Sequence, residues 1–175
     1  MIKERIYCMN EVDFDPRGKT FHFRLDKYTC YRCKKRNCSL DNISLDELKG
    51  SSSCVHAYDE SSIEYCRGMA KLFLDNEFSA AATIYLNTQC GHYSFADGQH
   101  RTCVVARVLQ KGGDVILKAN ITIQECMCRH CLLEAYYLEE RNCLTWIDRQ
   151  FKTARYRKIK KSEEDYKHHE FIYSF

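Results

Sequence analysis

Five residues, Tyr93-Ser94-Phe95-Ala96-Asp97, alternate aromatic with small or polar side chains, and Gly98 then breaks the alternation. From Gln99 onward Val104, Val105, Val108 and Leu109 recur at helical spacing. A strand must therefore turn sharply into a helix at Gly98. The first turn of a helix carries four backbone N–H groups without intrahelical partners and the positive end of the macrodipole, so it attracts an anion, most usefully a phosphate. Gly98 allows a ligand to come close, and Gln99, His100, Arg101 and Thr102 set neutral, titratable, cationic and hydroxyl groups beside that pole. Asp97 is the exception, because a carboxylate repels phosphate. It suits a helix cap, a magnesium ligand or a base, and the plainest of these is the cap.

The string Asp97-Gly98-Gln99-His100-Arg101, after a strand and before an Ala-containing helix, resembles the signature of the ParB/sulfiredoxin-like superfamily in its DndB-like form. The flanks agree with that pattern, with a helix expected over 64–78 and strands over 81–87 and 114–124. The resemblance implies a core over about 42–124 that binds nucleotide phosphates through Gly98, Gln99, His100, Arg101 and Thr102, with Asp97 and His100 as catalytic groups. Sulfiredoxins carry their nucleophilic cysteine inside the motif, whereas this chain has Gln99 there and Cys103 a turn later. Sulfinic acid reduction is therefore not implied, and Cys103 reads as a buried thiol.

A chain of 175 residues with 45% hydrophobic, 13% aromatic and 29% charged residues can bury one core, so a single folded domain is expected over 1–175. Its formal charge of +3, from 27 basic and 24 acidic residues, is too balanced to imply nucleic-acid binding by itself. No apolar run approaches the ~20 residues that span a bilayer, and the opening residues lead into no signal-type segment. The expectation is a cytoplasmic protein with no membrane association. In that setting twelve cysteines suit thiols or metal ligands better than disulfides.

Cys30-Tyr31-Arg32-Cys33 is half of a zinc site, since the tight turn between two cysteines at this spacing brings their sulfurs together. A second half appears at Cys128-Arg129-His130-Cys131, where an apparent helix over 132–146 begins. A knuckle joined to the first turn of a helix predicts structural zinc on Cys30, Cys33, Cys128 and Cys131, with no open coordination position. Cys38, Cys126 and His130 are substitutes for any one of these. Lys34, Lys35, Arg36 and Arg129 would offset the charge of a zinc tetrathiolate. The site would clamp 1–41 to 125–161, leaving 162–175 as a tail. Cys90 and His92 lie in the loop before the motif, where they could approach its ligand, and Cys54 and His56 read as ordinary packing.

Ser44 followed by Glu47 fits a capping box for a short helix, and Gly112-Gly113 a glycine stop for the motif helix. Leu132, Leu133, Tyr136, Tyr137 and Leu138 line one side of the later helix, which Trp146 and Ile147 can extend. Between 149 and 161, Arg149, Lys152, Arg155, Arg157, Lys158, Lys160 and Lys161 are interleaved with Phe151 and Tyr156 and with no acidic residue. Such a segment is most simply a solvated face, and it can also follow a nucleic-acid backbone. The expected fold is α+β (α/β-like), a small mixed sheet with flanking helices. Two functions follow as expectations: a nucleotide-binding phosphotransferase or nucleotide hydrolase working with magnesium, or a zinc-stabilised DNA-interaction or regulatory protein without catalysis.

Overall fold

The computed structural model of the protein describes residues 7–24, 38–51 and 63–175. Its elements, in chain order, are β1 (Tyr7–Phe14), β2 (Thr20–Arg24), α1 (Leu45–Lys49), α2 (Ile63–Leu74), β3 (Ala82–Asn87), β4 (His92–Asp97), α3 (Gln99–Gln110), β5 (Leu117–Gln124), α4 (Arg129–Asn142), α5 (Trp146–Phe151), α6 (Ala154–His169) and β6 (Glu170–Ser174). The strands form one mixed sheet in the order β1-β5-β3-β4-β2-β6. The α+β class with flanking helices therefore holds.

Three strands separate β1 from β2 in the sheet, yet only residues 15–19 join them in the chain. Four interstrand steps of ~4.8 Å make about 19 Å in a flat sheet, a span that a linker already folded into a turn does not cover. The sheet instead coils on itself, bringing the Phe14 ring within 5.5 Å of Tyr93 and 6.2 Å of Phe21. Phe21, Phe23, Phe95, Phe171 and Phe175 continue this aromatic core across β2, β4 and the β6 edge.

Helices α1 to α3 pack together and close the apolar core. Val104, Val105, Ala106 and Val108 are fully buried, as are Ala82 and Ile84 on β3 and Ala119 on β5. Ser44 and Glu47 form the expected capping box of α1, with Ser44 N–H donating to Glu47 Oε2 at 2.7 Å. The glycine stop of α3 is also present, closed by the Gly113 N–H on the Val108 carbonyl at 3.0 Å.

Two expectations need correction. Residues 162–175 are not a tail, because they complete α6 and add β6, which pairs antiparallel with β2 from Thr20↔Ser174 to Arg24↔Glu170. The later helix is divided into α4 and α5, and α4 buries none of its residues; Leu132, Tyr136 and Leu138 are all more than half exposed. It meets the rest of the protein through its first turn and through α6, so its apolar side chains have no sheet to cover. No helix among the described residues is long and apolar enough to cross a membrane.

Candidate metal centre

Strands β3 and β5 run parallel and in register, with Asn87 opposite Gln124. The turn that joins β3 to β4 therefore sits at the same end of the sheet as the loop that joins β5 to α4. Backbone bonds fasten one loop to the other: Thr88 N–H donates to Gln124 O at 3.0 Å and Gln89 N–H to Cys126 O at 3.2 Å. Asn87, only 2% exposed, shapes the turn from inside, donating to His92 O at 2.9 Å and to Ser94 Oγ at 2.8 Å. Gly91 takes φ +69°, the left-handed conformation that lets the chain reverse between Cys90 and His92.

This junction gathers Cys90, His92, Cys128 and Cys131, whose ligand atoms all lie within 4.8 Å of one another. His92 Nδ1 is 3.3 Å from Cys131 Sγ and 3.6 Å from Cys128 Sγ. Four ligands tetrahedral about zinc, with Zn–S ~2.3 Å and Zn–N ~2.0 Å, stand roughly 3.5–3.8 Å apart. The two distances from His92 are near that separation, and three sulfurs with one imidazole form a closed set suited to a structural ion. Cys90 Sγ also accepts the Cys128 N–H at 3.3 Å, an outer bond of the kind that orients a metal thiolate.

Charge points the same way. Burial, reinforced by the Cys128 thiol, pushes Cys131 up to about 12, and burial also raises Cys128. At Cys90 burial acts upward too, but bonds from the backbone of Cys128 and His92 and from the two other thiols bring it below its ordinary value. Three sulfurs brought this close need protons or a cation between them.

Half of the expected ligand set, Cys128 and Cys131, stands in this centre. Cys30 and Cys33 lie outside the described residues, as do Cys54 and His56. Cys90 and His92, expected beside the motif ligand, complete a set of four without them. Of the named substitutes, Cys126 bonds to Asn87 Oδ1 at 3.5 Å, His130 Nε2 is 3.3 Å from the Tyr166 hydroxyl, and Cys38 belongs to the fringe of the core. Arg129 does not offset the sulfur charge; its Nε meets Glu170 Oε1 at 3.0 Å. Two signals in the chain mark the missed pair: a Cys-x-His spacing, and a glycine between two strand-forming runs.

Around the centre lies a buried polar group. Glu170, 5% exposed, joins Arg129 to His22, whose Nε2 is 3.0 Å from Glu170 Oε2. A chain of rings leads outward from the metal loop: His130 to Tyr166 at 5.5 Å, Tyr166 stacked on Tyr137 at 5.5 Å, and Tyr137 to Tyr136 at 5.2 Å.

The Asp97–Thr102 motif is at the opposite end of β4, about 17 Å from the metal end by the rise of five strand residues. Gly98 takes φ +93°, and a Cβ there would lie 2.5 Å from Ala82 Cβ, so the close approach it permits is that of β3. The Arg101 guanidinium is buried, holding the carbonyls of Ala80 and Ala81 at 2.8 Å each and the Asp97 carboxylate. Gln99 exchanges two bonds with the Arg24 backbone, at 2.7 and 3.1 Å, and Thr102 Oγ1 donates to Gly98 O at 3.0 Å. His100 packs edge-on against Tyr65, with Nδ1 3.8 Å from Cys66 Sγ. The motif side chains thus tie α3 to β2, α2 and β3.

Compared with family models, with curated proteins and with solved structures, the chain finds no match. The ParB/sulfiredoxin-like resemblance accordingly rests on the motif and its flanks in this chain's own sequence.

Proposed function

We propose that the protein is a zinc-clamped, non-enzymatic nucleic-acid-binding protein that meets its partner through α5 and α6. The observation that carries this reading is the coexistence of unpaired cations and open aromatic rings on one helical segment. Lys152, Arg155, Arg157, Lys158 and Lys161 are exposed and make no ion pair with a described residue, while Lys160 meets Glu164 at 3.6 Å. Trp146 and Phe151 are each 71% exposed, with ring centroids 6.4 Å apart. Cations that follow phosphates and rings that stack on bases are the two components of a single-strand binding surface. The metal centre serves by fixing the first turn of α4, and with it the helical segment, to the sheet.

Fluorescence polarisation with labelled oligonucleotides tests this. Affinity is expected to fall steeply with salt, and neutralising Arg155, Arg157 and Lys158 together is expected to reduce the log–log salt slope by about 2 on a single strand. Binding indifferent to both changes would reject the proposal.

One observation favours a second reading, nucleotide phosphate at α3. The N-cap of that helix is Gly98, which offers no side chain to its first-turn amides. Under this proposal Asp97, whose side chain is 72% exposed, serves as base or magnesium ligand beside the helix pole. Nucleotides with magnesium are then expected to raise the melting temperature of the unaltered protein. If none of the common nucleoside di- and triphosphates moves it at millimolar concentration, this reading is withdrawn.

A further inference from the structure

Between α4 and α6 lies a cavity of about 250 Å³, lined by Tyr136, Tyr137, Glu140, Arg155, Lys158 and Ile159. It is smaller than the ~300–1,000 Å³ of sites that enclose drug-sized ligands, so it suits one planar ring system. We infer that this groove takes a single unpaired base of a nucleic-acid strand, stacked on Tyr136, with Arg155 and Lys158 on the flanking phosphates and Glu140 accepting a hydrogen bond from an exocyclic amine. The inference rests on the nucleic-acid reading above and narrows it to single strands and to bases that carry an amine.

Each component has its own physical basis. Tyr136 is 53% exposed, yet Tyr137 backs it at 5.2 Å, and Tyr137 is itself stacked on Tyr166 with planes 15° apart. A platform held in this way loses little freedom when a base covers it. Arg155 and Lys158 are three residues apart on α6, so they project from one face of that helix. They supply the positive rim that a phosphate backbone needs. Glu140 is the informative residue, because a carboxylate in a basic groove is unfavourable toward phosphate. It becomes favourable where a base offers an N–H₂ group, as cytosine does through N4. Thymine has the O4 carbonyl in place of that amine and keeps the ring N3–H as its one donor on that edge, so the carboxylate loses the exocyclic bond and faces an oxygen. A paired base cannot enter, since the groove takes a ring face and a Watson–Crick edge together.

The test compares single-stranded dC12, dT12 and a mixed-sequence 12-base-pair duplex, each fluorescein-labelled, against the full chain in zinc-replete buffer. The dC12 strand is expected to bind roughly three- to tenfold more tightly than dT12, the ratio one added hydrogen bond supports, and the duplex more weakly than either. Tyr136→Ala should weaken both strands about fivefold or more. Glu140→Gln should bring dC12 and dT12 within twofold without weakening dT12. Both positions are on the surface of α4, and an unchanged melting temperature shows that the variants fold. Equal binding of dC12 and dT12, or a cytosine preference that survives Glu140→Gln, overturns the base assignment. Salt-sensitive binding that ignores Tyr136→Ala overturns the groove and leaves the electrostatic reading intact. Absence of binding to all three probes removes both.

Discussion

Chelation of zinc, or Cys128→Ser, is expected to lower the melting temperature by about 8–16 °C. Structural zinc contributes an apparent ~10–16 kcal/mol in small peptides whose folding depends on it, and here part of that reappears as order in the two loops it joins. A retained loss of ~4 kcal/mol at ~2–4 °C per kcal/mol gives a fall of this size. None of the four candidate ligands belongs to the aromatic core or to α1 to α3, so cooperative unfolding should persist at the lower temperature. Elemental analysis should give one zinc per chain in the unaltered protein and in Cys30→Ser and Cys33→Ser, and a marked loss in Cys90→Ser, His92→Ala and Cys131→Ser. The reverse pattern would transfer the site to the amino-terminal knuckle. Because burial holds the Cys128 and Cys131 thiols protonated in the metal-free protein, loading at pH 7 should release at least two protons per ion and weaken as the pH falls.

The second large effect is at Glu170. Replacing it by Leu leaves the buried His22 without the carboxylate it bonds, while Arg129, more than half exposed, turns to water, so the cost is that of an unsatisfied buried polar group, ~1–3 kcal/mol. A fall of about 2–12 °C in melting temperature follows. Loss smaller than that of an ordinary surface substitution would show that the pair contributes little. The pH dependence has a definite sign. Burial pushes His22 below its ordinary value of 6.5, against the pull of Glu170. We place it in the neutral form because Arg129 already balances that carboxylate. The unfolded chain then takes up a proton near 6.5 while the folded protein does not. Stability at this site is complete above that pH and declines below it, levelling once the folded-state value is passed.

Local patterns in the chain were sufficient for the elements they govern. The α3 start at Gly98, the Ser44 and Glu47 box, the glycine stop after α3 and the strand at 82–87 all depend on neighbours within a few residues. The metal centre was half legible for the opposite reason. Cys128 and Cys131 are close through a helical turn, but their nearness to Cys90 and His92 depends on β3 lying parallel to β5, which no spacing records. The Cys30 to Cys33 knuckle therefore looked the stronger partner. Gly98 and Arg101 show the same limit. A glycine and an arginine at a helix start read equally well as a phosphate cradle or as packing, and only the position of Ala82 and of the 80 and 81 carbonyls tells them apart. Residues 170–174 went unread because their alternation is short and their partner, β2, is remote.

That remoteness bears on how the molecule is made. Thr20 and Ser174 share a hydrogen bond although they stand 154 positions apart in the chain, so during synthesis β2 leaves the ribosome long before β6 exists. Meanwhile Phe21 and Phe23 occupy a sheet margin with one side open to other chains. Closing so long a loop is slow, and the nascent protein should be most prone to association in the interval before its last strand arrives.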